Sequence, residues 1–350
     1  MQTRRKLRWL RVLARLRANE RSIAVLSFLS GAATFFLVNR QARYARWITL
    51  LLLGTWVALL ADNLIERYFP RLARARIPRA LARYSAQMIH QESFAFVLPF
   101  FLVTTTWRTS QALFTGALLA AAAVSLFDPL YHRLLVPRRS LYLAYHAFAL
   151  FVTMLIVLPV IMHLTTGQSY ALACGAVVVA AFPSLQQALR VRQRWLLLPA
   201  LGVALGGAAW LIRPAVPPAT LWLAQGAITT AMDVSAREPD ARLTRIPEAL
   251  LRRQGLYAFT AIHAPRGLNE KIYHVWSHNG HVVDRIPLEI TGGRHRGYRS
   301  WSHKDRFPAH ALGRWRVAVV TGSGQLIGVM RFDVTAPRLG RAGAGTPRAG

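Results

Sequence analysis

Residues 141–162 read LYLAYHAFALFVTMLIVLPVIM, twenty-two positions without one Asp, Glu, Lys or Arg. At a rise of about 1.5 Å per residue a helix of this length crosses a hydrocarbon layer about 30 Å thick. Working outward, further apolar runs occupy 22–38, 47–64, 88–106, 111–128, 168–188 and 195–212. The predicted N-terminal architecture is therefore a membrane all-α bundle of about seven transmembrane helices. Pro99, Pro159, Pro183 and Pro199 lie inside these runs, where neighbouring helices can satisfy the carbonyl that a proline frees.

Past residue 212 the hydrophobic period changes from helical to alternating. Strands are predicted at 221–231, 256–263, 272–278, 281–290, 296–302, 314–321 and 325–334, punctuated by Asn279-Gly280, Gly292-Gly293 and Gly322-Ser323-Gly324. Residues 240–254 read as one short helical or irregular stretch. Short strands at this spacing imply a small all-β antiparallel sandwich or barrel-like domain. The expected organisation is a basic cytoplasmic segment at 1–21, the bundle at 22–212, an extracytoplasmic β-domain at 213–335 and a disordered tail at 336–350. The Arg-rich stretch 4–21 reads as part of a signal anchor.

In 350 residues the hydrophobic fraction is 53% and the formal charge +30, with Lys6, Lys271 and Lys304 the only lysines. The arginines lie between apolar segments instead of tracking one surface, which argues against nucleic acid as a partner. Their asymmetry sets an expected orientation. Eight basic residues precede the first apolar run, six lie between 67 and 83, three between 133 and 139 and three between 190 and 194. Only Arg40, Arg43, Arg46 and Arg108 lie on the other side. The N-terminus is expected in the cytoplasm and the β-domain across the membrane. Trp47, Trp107, Trp195 and Trp210 mark span ends.

Ionisable groups near the apolar runs are candidate site residues because immersing them is costly. They are Glu92, His90, Asp62, Asp128 and His146, of which Glu92 lies deepest. Pairing with interfacial arginines is the competing structural reading. In the β-domain, Trp276, Tyr298, Arg299, Trp301 and Arg316 are candidates for binding an envelope polymer, through stacking and bidentate hydrogen bonds; core packing of the tryptophans competes with that. His274 and His278 are about 13 Å apart along a strand, too far for one ion, and Cys174 stands alone, so no metal site or disulfide is expected. No nucleophile triad, phosphate loop or cofactor motif is present.

The segments His90-Gln91-Glu92-Ser93, Leu98-Pro99-Phe100, Phe114-Thr115-Gly116 and Phe127-Asp128-Pro129-Leu130-Tyr131 resemble bacterial membrane proteins grouped as a domain of unknown function, series number 5924. The segments Tyr273-His274-Val275-Trp276, Tyr298-Arg299-Ser300-Trp301-Ser302, Gly313-Arg314-Trp315-Arg316-Val317 and Gly324-Gln325-Leu326 resemble a second such domain, series number 2914, a C-terminal extracytoplasmic module. Together they cover about residues 45–334. The pairing implies a multi-pass bacterial inner-membrane protein with a periplasmic domain, and neither family implies an activity or a cofactor. The expected partners are the lipid bilayer and an envelope polymer or periplasmic protein. The sequence thus points to a protein that anchors a periplasmic binding or interaction domain. The alternative is a small-solute or proton-linked transporter, or an intramembrane enzyme, using the acidic and histidine residues of the helices.

Overall fold

The computed structural model describes residues 79–188, 194–265, 268–291 and 297–336. The expected spans at 22–38 and 47–64, the basic N-terminal segment and nearly all of the tail lie outside the described residues, as does Asp62.

The helical part runs α1 (Arg79–Thr104), α2 (Gln111–Leu126), α3 (Asp128–Leu130) with a π-helical turn at Tyr131–Leu135, α4 (Arg139–Met162), α5 (Thr166–Ala188) and α6 (Arg194–Ile212). The expectation of seven spanning helices is overturned here. Among the described residues, only Ser140–Met162 is by itself long and apolar enough to cross a membrane. Two local causes contribute to the difference. In α1 the run His90-Gln91-Glu92-Ser93 interrupts the apolar stretch. After α2, Phe127 turns extended and Pro129 follows, so α2 and the next segment meet at 97° instead of continuing as one rod. Phe94, Phe101, Leu118, Tyr131, Ala149, Ile156 and Tyr170 pack the interior of this part.

A single turn of 3₁₀ helix, Arg213–Ala215, leads into the β-domain. Strands β1 (Trp222–Thr229), β5 (Leu256–His263) and β8 (Tyr298–Lys304) form one sheet. Strands β4 (Arg245–Pro247), β10 (Leu326–Thr335), β9 (Gly313–Thr321), β6 (Asn269–His278) and β7 (His281–Thr291) form the other, in that order. Strands β2 (Met232–Asp233) and β3 (Glu238–Pro239) make a small ribbon, and α7 (Glu248–Gln254) follows β4. The C-terminal region is a β domain, but not wholly antiparallel, because β4 pairs parallel to β10. Alternation along β9 explains the layering: Trp315, Val317 and Val319 are buried, Arg314 and Arg316 exposed. The inner faces of both sheets share one core, with Ile228, Leu256 and Ile262 meeting Ile272, Trp276, Trp315, Phe332 and Val334.

Candidate functional site

On α1, Gln87, His90, Gln91 and Phe94 follow helical spacing and share one buried face. That face meets the end of α2, where the chain breaks and leaves carbonyls without helical partners. The two glutamines supply donors. Gln87 Nε2 donates to Ser125 O at 3.3 Å and to Asp128 Oδ1 at 2.6 Å, while Gln91 Nε2 donates to Ser125 O at 2.7 Å. His90 sits between them, fully buried. Its Nδ1 is 3.0 Å from the Tyr131 hydroxyl on the π turn, and its Nε2 is 3.0 Å from His146 Nδ1 on α4. The rings of Tyr145 and His146 stand edge-on to it at 5.1 and 5.2 Å. The result is a hydrogen-bonded line Tyr131–His90–His146 across three elements, in which each bond can reverse direction with the histidine tautomer.

Of the helical candidates, the structure brings His90 and His146 into direct contact and joins Asp128 to the same face through Gln87. Glu92 is half-buried two residues along α1 and makes no hydrogen bond or ion pair with a described residue, so it stands apart from the cluster. Tyr131, Gln87 and Gln91 belong to the cluster and escaped sequence reasoning. The helical spacing of Gln87, His90 and Gln91 was the available signal. Tyr131 had none, because the 97° bend brings it there.

The β-domain candidates do not form one site. Trp276 and Trp315 are core residues at 0% and 1% exposure. Phe332 packs against both rings, and Trp315 Nε1 donates to Ala311 O. Tyr298, Arg299 and Trp301 lie on β8 in the opposite sheet. Arg299 pairs with Glu238 at 2.9 Å and donates to Ala236 O, which fastens the β2–β3 ribbon. Trp301 packs on Ala227, Phe259 and Ala261. Arg316 is exposed on the far side of β9. Among the described residues no group of three or more His, Cys, Asp or Glu side chains could hold a metal.

The two parts meet in a built junction. Thr166 N, at the start of α5, donates to Glu270 Oε2 at 2.7 Å. Gln111 Nε2 donates to Leu326 O at 2.8 Å, and Gln325 Nε2 to Val216 O at 3.2 Å. Gly167 lies so close to Ser323 that a Cβ there would be 2.9 Å from the serine Cβ. A cleft of about 400 Å³ opens beside these contacts, lined by Thr165, Asn269, Glu270, Lys271 and Ser323 among others. Burial pushes the Glu270 carboxyl above the usual range, and the Thr166 N–H pulls it partly back.

A family model described as "Family of unknown function (DUF5924)" matches residues 2–258. The chain belongs to that family. A second model, "Protein of unknown function (DUF2914)", matches residues 269–334, so the two domains occur in the order that the resemblance gave. No curated protein and no solved structure matches the chain. The DUF5924 match ends inside β5, and the second begins at β6. Each sheet of the β-domain therefore draws strands from both matched regions: β1 and the start of β5 join β8, and β4 joins β10, β9, β6 and β7.

Proposed function

We propose that this DUF5924 member is an integral inner-membrane protein whose helices hold a β-sandwich, as a binding module, in a fixed pose outside the cytoplasm. The observation that carries this reading is an inverted distribution of side chains. In the helical part the interior holds Gln87, His90, Gln91, Gln111 and His146. The exterior bears Leu113, Leu119, Leu172, Val179, Val203, Leu205, Leu211 and Ile212, with Leu113 and Leu211 at 79% and 80% exposure. Water would penalise that arrangement, and lipid favours it.

Orientation follows from α4 alone. Arg133, Arg138 and Arg139 stand at its start, which argues for a cytoplasmic end. Its other end leads within four residues to Thr166, which is bonded to Glu270 of the β-domain. This argument does not depend on how many helices cross. Membranes from expressing cells, washed at alkaline pH, should retain the chain until detergent is added. Release by the wash alone would contradict the anchoring.

One observation favours a second reading, in which the helices move protons or a small solute or act on a substrate within the membrane. The Tyr131–His90–His146 line lies beside a sharply bent helix pair, and interrupted helices are where transporters build internal sites. Replacing His90 by Gln should abolish a proton flux into vesicles carrying the chain. A flux equal to that of empty vesicles in the unsubstituted protein would dispose of this reading.

A further inference from the structure

The outer face of the five-stranded sheet carries an arrangement that folding alone disfavours. In the antiparallel pair β9–β10, Arg316 lies directly opposite Arg331. One step along, Arg314 lies opposite Asp333, whose other neighbour is Arg245 on β4. All five side chains are exposed. On β7 of the same face, Arg285 stacks over the Tyr273 ring at 3.9 Å. Like charges placed directly opposite on a sheet destabilise it, and surfaces ordinarily intersperse signs. Here Asp333 stands among five arginines, and among the described residues none of the five is in an ion pair. The face is exposed, and its arginines form rows about 7 Å apart along the strands.

We propose that this face docks an acidic polysaccharide. The inference rests on the reading of the β-domain as an exposed binding module and names its partner class. Guanidinium forks match carboxylate geometry in pairs, and parallel rows of them suit a linear polymer with a charge on each repeat. The bilayer that holds the helices is not the partner. The patch sits about 20 Å along β10 from Leu326, the residue bonded to Gln111 at the helical junction. A protein partner would need an apolar centre, and among the described residues the large apolar side chains exposed nearby lie at the margins, Leu312 just before β9 and Val282 and Val283 at the sheet edge. Single-stranded nucleic acid would need free aromatic faces, whereas the Tyr273 ring is covered by Arg285.

The test uses the full chain in neutral detergent micelles, so binding is read whether or not the helices span a bilayer. Failure of the alkaline wash would leave this result standing, and the reverse holds too. Polygalacturonate is the probe, with dextran as the uncharged comparison and single-stranded DNA and phosphatidylglycerol vesicles as anionic ones. Polygalacturonate should bind at least tenfold more tightly than dextran, DNA or the vesicles, and more weakly as salt rises. The double variant R316Q/R331Q should lose at least tenfold in affinity with an unchanged or higher melting temperature, because the opposed charges are gone. R314Q, which leaves that pair intact, should lose affinity to a smaller degree. Equal binding of dextran, unaltered affinity in the folded double variant, or preference for DNA or vesicles would each overturn the proposal.

Discussion

Glu270, on the first residues of β6, accepts the backbone N–H of Thr166 at the first turn of α5, 104 residues earlier in the chain. A carboxylate from one part of the protein thus caps a helix of the other, where the helix dipole favours negative charge. The bond is 95% shielded from water at Glu270, and the Gly167–Ser323 approach beside it leaves no room for a side chain. This couples the pose of the β-domain to the helical base more tightly than the short 213–221 connection could.

Replacing Glu270 by Ala removes the acceptor and leaves the Thr166 N–H buried without one, at a cost of about 1–3 kcal/mol. Glu270→Gln keeps an acceptor and removes a carboxyl whose pKa burial has raised, so it should cost less. The sign with pH follows. A carboxyl whose folded pKa is raised favours the fold at low pH and loses that contribution as pH rises from about 4.5 through the raised value. Thermal unfolding of the detergent-solubilised protein, together with protease cleavage near 213–221, reads both effects. Equal stability of Glu270→Ala and the parent would remove the cap from the account.

His274 spans the two sheets of the β-domain, with Nδ1 2.9 Å from Ser302 Oγ and Nε2 3.2 Å from Thr260 Oγ1. Burial pushes its pKa down to about 3, so the ring is neutral in the fold. Unfolded, it takes up a proton near pH 6.5. Stability is therefore unaffected above that pH and falls by up to about 1.4 kcal/mol per pH unit between about 6.5 and 3. His274→Gln should flatten this slope, whatever it does to stability at pH 8. Parallel pH profiles for the two proteins would contradict the assignment.

Trp276 and Trp315 are interior, and their loss should be felt as stability. Either change to Ala should cost about 3–5 kcal/mol. Chemical denaturation checks this, and a variant that unfolds like the parent would mean the rings are not core.

The alternation in β9, the Asn279-Gly280 turn and the Gly322–Gly324 hairpin made the β-domain legible, because a buried face imposes period two on local sequence. The parallel β4–β10 pair was hidden, since three residues at Arg245–Pro247 carry too short a pattern and their partner is far along the chain. In the helices, apolar length alone overstated the number of spans. Phe127 with Pro129 redirects the backbone, and Gln87, His90 and Gln91 turn a polar face inward, which a hydropathy reading scores only as reduced length. His90 and His146 were visible as costly groups, but their contact needed the packing of α1 on α4. Glu270 carried no local signal, because its partner is set by tertiary structure.

The proposed extracytoplasmic pose of the β-domain is tested most directly by fusing a reporter that is active only outside the cytoplasm. One fusion follows Ala336, and a second follows Arg138, before the start of α4. The first should be active and the second silent. An active fusion after Arg138 with a silent one after Ala336 would contradict the orientation drawn from α4.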